Sequence, residues 1–471
     1  RAIWPSSPTR SESGAHARLA AVIQPQVFKA NDIRGLVAGE RPEWDAGGAR
    51  AIGAAFAVAF ELAGSDFVLG RDMRAGGREL SLAFADGARD QGATVIDVGL
   101  ASTDQLWFAS GHTHRPGVQF TASHNPAGYN GIKFCLPDAA PITPDLMARI
   151  VELSGAELPP AAVRGDYREL DLLGAYAAHL HSLVDLSTTR RLRVVVDAGN
   201  GMAGWTTPAV LGPLDVDVIG LYMDLDGSFP NHPPNPLEPA NLVDAQRAVR
   251  ETGADLALVF DGDADRCFII DERGEVVNPS VVTALIAKAE LAREPGGTIV
   301  VNTITSRAVG EVVAAAGGKV AISAVGHTKM KALMAQHGAI FGGEHSAHYY
   351  FRDFWGADTG MLAGLHVLAM LGRADATMSS LVAGLPQYAA SGELNTSVAD
   401  PLQITAEVAA AFTGRGELSL TDGLLVTGDG WWLSVRESNT EPLLRLNVEA
   451  RDAATVASLR DEALAIIRKD S

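Results

Sequence analysis

From Asp66 onward, short runs of β-forming residues alternate with amphipathic helical stretches, which limits the chain to α/β units built on largely parallel or mixed sheets. The first unit reads "DFVLG", a helix from about Gly77 to Gln91, then "ATVIDVG" and "VQFTASH". A second begins at "LRVVVDAGNG", where Gly199 and Gly201 suit a tight strand-to-helix turn, and continues through "VDVIGLY" and "DLALVFDGDADR". A third contains "GTIVVNT", "KVAISAVG" and "AIFGGEHS". The last region breaks the pattern. There "WWLSVRE" and "LLRLNVEA" pair as antiparallel strands around a polar loop, and Val456, Leu459, Ala463 and Ile466 mark one face of a closing helix. A length of 471 residues agrees with three or four domains. The expected α/β domains cover 21–168, 169–275 and 276–387, and a smaller α+β domain covers 388–471.

The formal charge of −18 argues against a general nucleic-acid or anionic-membrane surface, since both need clustered Lys and Arg. The most tempting apolar stretch, "AIGAAFAVAF", is half a membrane span and reads as a packed helix. Cys135 and Cys267 have neither metal-ligand nor disulfide spacing, so a reduced, cytoplasmic setting is expected. Residues 1–20, rich in Ser and Arg, read as a disordered extension.

Four stretches carry chemistry. In "VQFTASHNPAGYNGIKF" a strand stops at Ser123 and is broken by His124-Asn125-Pro126, so a hydroxyl is displayed at a strand end. No G-x-S-x-G surrounds it, and in extended chain His124 points away, which disfavours a Ser–His pair. In "VFDGDADRCFII", Asp261, Asp263 and Asp265 alternate. An extended backbone turns all three carboxylates to one side, as a hard cation such as Mg²⁺ requires. An EF-hand fails because Arg266 occupies the position that needs Gly. A phosphorylated Ser123 sharing the cation explains both motifs, and Lys133, beyond an expected Asn130-Gly131 turn, folds back to the same centre. In "GGEHSAHYYF", Glu344 and Ser346 suit vicinal sugar hydroxyls and His348 a proton transfer, while His345 and His348 alone make a weak metal pair. In "RESNTEPLLRL", Arg436, Ser438, Asn439 and Thr440 form a cradle for a dianion, with Arg445 adding charge or covering the sheet.

Together "TASHNP", "DGDADR", "GEHSAH" and "RESNTEP", with "FKANDIRG", "GRDMR", "DGSFPNHPPNPLEP" and "VGHTKMK", resemble the α-D-phosphohexomutase family over roughly residues 26 to 450. The resemblance implies four domains in a heart-like arrangement around a central cleft. It implies a phosphoserine at Ser123, Mg²⁺ held by Ser123, Asp261, Asp263 and Asp265, and Arg266 beside the transferring group. Arg34, Lys133 and His348 would be polar or acid–base residues, with Lys133 or His348 handling the hydroxyl proton. Glu344, Ser346 and His327 would hold the sugar, and Arg436, Ser438, Asn439 and Thr440 the other phosphate. Two positions depart from the family pattern: Asn31 replaces an aromatic residue and Ala347 a frequent Gly.

The implied reaction is phosphomannomutase chemistry through a hexose 1,6-bisphosphate, which also serves as activator. Phosphoglucomutase activity is the alternative within the family. A Mg²⁺-dependent sugar phosphatase with an aspartyl nucleophile and a non-catalytic sugar-phosphate binder are the alternatives outside it. The expected partner is a small hexose phosphate, with no nucleic acid and no membrane, and the expected state is monomer or weak dimer.

Overall fold

The structure is a computed structural model that describes residues 22–187, 189–437 and 443–469; the expected extension, residues 1–20, lies outside them. It contains four domains, each built on its own sheet. The first sheet contains β1 (Asp32–Leu36), β2 (Asp66–Arg71), β3 (Thr94–Leu100), β4 (Gly117–Phe120), β5 (Tyr129–Cys135) and β6 (Tyr167–Glu169), in the order β1-β5-β4-β2-β3-β6. β4, β2, β3 and β6 run parallel, and β5 is antiparallel to β1 and β4. The helices α1 (Ala46–Ala59), α2 (Gly77–Asp90) and α3 (Thr103–Thr113) flank it. The apolar stretch assigned to a packed helix lies in α1, which crosses α2 closely because a Cβ at Gly53 would meet the Phe84 carbonyl at 2.0 Å. No described helix is long and apolar enough to cross a membrane.

The second sheet, ordered β11-β10-β9-β7-β8, contains β7 (Leu192–Asp197), β8 (Val216–Leu221), β9 (Leu256–Phe260), β10 (Cys267–Asp271) and β11 (Val276–Val277). The third, ordered β13-β12-β14-β15-β16, contains β12 (Thr298–Asn302), β13 (Lys319–Ser323), β14 (Phe341–Gly343), β15 (Tyr349–Phe351) and β16 (Ala357–Asp358). The fourth is antiparallel throughout: β17 (Ala389–Ala390), β18 (Leu394–Ser397), β19 (Glu417–Ser419), β20 (Leu424–Gly428), β21 (Trp431–Glu437) and β22 (Leu443–Ala450).

One apolar cluster runs continuously from the α3 face of the first sheet through the second and third domains, whereas the fourth domain has a separate core. The closing helix, Ala453–Ile467, buries Val456, Leu459, Ala463 and Ile467. The expected Ile466 is only half-buried, because the seam advances by four residues after Ala463. The third and fourth domains meet through polar contacts. Arg307 donates to the Gly428 and Trp431 carbonyls at 2.9 and 3.2 Å, and Asp422 accepts from Thr303 Oγ1 at 3.2 Å and Val325 N at 3.0 Å. Cys135 and Cys267 are buried and unpaired.

Candidate active site

The break after β4 leaves Ser123 in left-handed backbone at φ +50, a conformation that costs a non-glycine residue about 1–2 kcal/mol. Local bonds offset that cost. Ser123 N donates to Thr121 Oγ1 at 2.9 Å, and the buried guanidinium of Arg74 donates to the carbonyls of Ser123, Asn125, Pro126 and Tyr129 at 2.6–3.1 Å. Asp72 lies 3.2 Å from Arg74 Nε and offsets its charge. The left-handed residue also overturns the expectation that His124 points away: Ser123 Oγ and His124 Nδ1 are 3.3 Å apart. His124 is nonetheless no strong base, because burial and then the Arg266 charge lower its pKa to about 2.

The three aspartates meet Ser123 from the turn between β9 and β10. Ser123 Oγ donates to Asp261 Oδ2 at 2.9 Å and accepts from Arg266 at 3.2 Å. Gly262 permits this approach, since a Cβ there would lie 2.5 Å from the Ser123 carbonyl oxygen. One oxygen each of Asp261, Asp263 and Asp265 lies within 4.8 Å of the others. Their convergence comes from a turn containing Ala264 at φ +60 and not from the extended run expected of alternating residues. Lys133 likewise lies beyond no Asn130-Gly131 turn, because both residues are within β5, whose pairing with β4 carries the lysine to the site.

Lys133 Nζ donates to Asp263 Oδ2 and Asp265 Oδ2 at 2.7 and 2.6 Å, and Arg266 pairs with Asp261 at 2.7 Å. Burial disfavours the Lys133 charge, but the two carboxylates hold its pKa above the usual value. Burial likewise opposes ionisation of Asp263, yet Lys133 and hydrogen bonds from Lys133 and Thr103 hold its carboxyl below the usual range. Asp261 is pushed up to about 7 by burial, with Arg266 opposing and its neighbouring aspartates adding. Asp263 Oδ1 and Asp265 Oδ1 are buried without hydrogen-bond partners. A crowded set of carboxylates with unpaired buried oxygens fits a divalent hard cation.

His348 joins this centre through Asp265 Oδ1, 3.6 Å from its Nε2, while its Nδ1 lies 2.9 Å from Ser346 Oγ. Glu344 is buried and accepts from Tyr350 Oη at 2.5 Å and Asn302 Nδ2 at 3.0 Å, so its carboxylate is fixed in place. Ala347 sits at φ +65, which gives a physical reason for glycine at this position in the resembling family. His345 contacts Ser280 at 3.3 Å and is not grouped with His348 among candidate metal ligands of the described residues. His327 begins the helix His327–His337, and burial lowers its pKa. Arg34 donates to Asn125 Oδ1 at 2.9 Å and to Asp32 at 2.8 Å. Asn31 bridges the first and third domains by donating to Thr328 Oγ1 at 3.1 Å.

Arg436 and Arg445 face each other across β21 and β22, and both pair with Glu393, at 2.5 and 2.8 Å. Ser438, Asn439 and Thr440, expected to complete this cradle, lie outside the described residues. Three residues at the site carry no expectation from sequence: Glu393, which no motif marks, Arg74, although it closes "GRDMR", and Thr103, which donates to Asp263 at 2.6 Å from the start of α3. The Pro-rich segment reaches the site too: Phe229 lies under Arg74, 5.0 Å from its guanidinium, and Pro234 packs near Gly262.

Four successive domain descriptions match the chain. Residues 25–158, 174–274 and 278–388 match the phosphoglucomutase/phosphomannomutase α/β/α domains I, II and III, and residues 393–466 match the C-terminal domain. A phosphomannomutase of Salmonella montevideo is 38% identical over 439 residues, covering 90% of this chain and 94% of the relative. Phosphohexose mutases of Xanthomonas campestris are 38% identical over 441 residues, covering 92% and 97%. A crystal structure of a phosphoglucomutase/phosphomannomutase family protein from Burkholderia thailandensis superposes with a TM-score of 0.87 at 33% identity, covering 96% of this chain and 99% of that one.

Proposed function

The chain belongs to the phosphoglucomutase/phosphomannomutase family of mutases, and from that premise we propose that it interconverts mannose 6-phosphate and mannose 1-phosphate and also accepts glucose phosphates. The observation that carries the reading is the 2.9 Å hydrogen bond from Ser123 Oγ to Asp261, within a triad of carboxylates. Ser123 carries the phosphoryl group, and Asp261, Asp263 and Asp265 hold Mg²⁺ with it. The cation supplies charge neutralisation for the moving phosphoryl group.

In the first half-reaction a hydroxyl of the bound hexose monophosphate attacks phosphorus as the bond from phosphorus to Ser123 Oγ breaks, giving a hexose 1,6-bisphosphate and a free serine. The bisphosphate then turns over, and Ser123 accepts its other phosphoryl group. Arg266, within reach of Ser123 Oγ, stabilises charge on the transferring oxygens. His348, adjacent to Asp265 and Ser346, carries the hydroxyl proton, and Lys133, paired with Asp263 and Asp265, adds positive charge beside the transferring group. Arg34 orders the serine loop through Asn125, Glu344, Ser346 and His327 hold the sugar, and Arg436, Ser438, Asn439, Thr440 and Arg445 grip the resting phosphate. Turnover of the intermediate requires that grip to loosen, and the separate core and polar boundary of the fourth domain support its motion. Hexose 1,6-bisphosphate acts as the activator that restores a dephosphorylated serine.

Two buried, unpaired cysteines support a cytoplasmic setting, and a monomer or weak dimer meets all the site's needs within one chain. The test compares turnover of mannose 1-phosphate and glucose 1-phosphate with Mg²⁺ and bisphosphate supplied. Conversion of the mannose ester to its 6-phosphate is expected; turnover of glucose esters alone, or release of inorganic phosphate without isomerisation, overturns the assignment.

A further inference from the structure

The carboxyl ends of β2 and β3 form a second concave site. β2 leads into α2 and β3 into α3, and these helices lie on opposite faces of the sheet. Phe67 and Leu69 of β2 share a core with Phe84 of α2, whereas Val68 of β2 and Val98 of β3 pack with Leu106 of α3. Where connections from neighbouring parallel strands leave on opposite faces, a crevice opens at the strand ends, and open α/β sheets bind ligands there. In this protein the crevice encloses about 450 Å³ and is bordered by Trp205 of the second domain. Ser123 follows β4, on the other side of β2, and none of the residues assigned above to catalysis or substrate binding lines this crevice.

Its wall holds groups that the fold leaves unused. Among the described residues neither Arg71 nor Arg78 makes a side-chain hydrogen bond or an ion pair. Of the acidic neighbours, Asp97 is engaged by Gly99 N at 2.7 Å and by the Tyr167 hydroxyl, and Asp171 by Leu173 N at 3.0 Å. Glu169 is exposed at the rim. Gln105 is 1% exposed, yet its Oε1 has no hydrogen-bond partner. Buried polar groups are nearly always paired, so an unpaired amide oxygen in a pocket wall points to an absent ligand. Trp205 is 37% exposed and borders the cavity.

We propose that this crevice binds a phosphorylated sugar, outside the mutase centre and independently of which hexose that centre turns over. The planar forks of Arg71 and Arg78 suit a phosphate. Trp205 takes the apolar face of a sugar ring or base, and Gln105 with the rim carboxylates takes hydroxyl groups. Both a hexose bisphosphate and a nucleoside diphosphate sugar carry that chemistry.

Equilibrium dialysis of the full chain distinguishes them, using glucose 1,6-bisphosphate labelled in its carbon skeleton in one arm and GDP-mannose and UDP-glucose in the other, with chelator present so that no phosphoryl group passes to Ser123. Excess mannose 1-phosphate fills the mutase centre throughout. One probe is expected to remain bound. The double variant Arg71→Gln, Arg78→Gln should weaken that binding by about tenfold or more, as expected for loss of charged hydrogen bonds, with mannose 1-phosphate turnover unchanged. Trp205→Ala should weaken it as well, and it carries the comparison alone if the double variant does not fold. Retention of the bisphosphate identifies a substrate-derived ligand, and retention of a nucleotide sugar identifies a ligand formed further on. Complete displacement of every probe, or equal affinity in wild type and variants, overturns the proposal.

Discussion

Replacing Lys133 by Met tests the charge balance of the site. The lysine is 8% exposed and its ammonium lies 2.7 and 2.6 Å from two carboxylates. At an effective dielectric of about 20, each attraction is on the order of 6 kcal/mol. Desolvation offsets much of this, and removing one partner of a buried pair costs about 3–5 kcal/mol net because the other charge is left exposed to its neighbours. Without Lys133, three buried carboxylates share only Arg266. The metal-free variant should therefore lose about 3–5 kcal/mol, a large part of the roughly 5–15 kcal/mol that holds a typical domain together. Urea denaturation at pH 7, with chelator and then with Mg²⁺, measures both terms. Mg²⁺ should stabilise the variant more than the wild type, because the cation replaces the missing charge. The lowered Asp263 pKa makes its contribution complete above the unfolded value near 4, with loss only as pH falls through the depressed folded value. The raised Lys133 pKa keeps its contribution complete below an unfolded value of about 10, with loss only as pH rises through the higher folded value. Neutral pH thus lies inside the window. A metal-free loss below about 1 kcal/mol, the range of exposed pairs, or an equal Mg²⁺ increment in both proteins, would refute the reasoning.

Gly262→Ala should abolish mutase turnover while leaving most of the fold, since its Cβ would stand 2.5 Å from the Ser123 carbonyl oxygen and force the two loops apart; wild-type kcat in this variant contradicts the packing argument. Arg74→Leu should cost about 3–5 kcal/mol, by leaving Asp72 unpaired, and should raise hydrogen exchange selectively in residues 121–129. Uniform exchange across the first domain would deny the clasp its local role. Asp261, pushed up to about 7, retains a proton in the folded metal-free protein that the unfolded chain releases near 4. Metal-free stability should therefore fall as pH rises from about 4 to about 7, and Mg²⁺ should flatten that slope by favouring the ionised form. A rise over the same interval contradicts it.

Much of this architecture was legible because hydrophobic period and turn chemistry are local. "DFVLG" and "LRVVVD" announce buried parallel strands, and "WWLSVRE" with "LLRLNVEA" announces an antiparallel pair. The candidate site was legible where a break in that pattern exposes polar residues, as at Ser123 and Asp261. What sequence could not supply was backbone sign and distant pairing. Positive φ at Ser123 and Ala264 turns side chains against the direction expected from alternation, and it explains the misread positions of His124 and of the aspartates. Arg74 clasps the Ser123 carbonyl 49 residues away and Glu393 pairs with Arg436 43 residues away, so nothing beside them in sequence marks their roles.

The central claim is that the Ser123 oxygen carries the phosphoryl group. Brief exposure of the Mg²⁺-loaded protein to glucose 1,6-bisphosphate labelled with radioactive phosphorus, followed by proteolysis and peptide mapping, measures this directly. Acid-stable label is expected on Ser123, and a chase with unlabelled mannose 1-phosphate should transfer it to the sugar. Label on an aspartate of the 261–265 loop, or none on the chain at all, would contradict it.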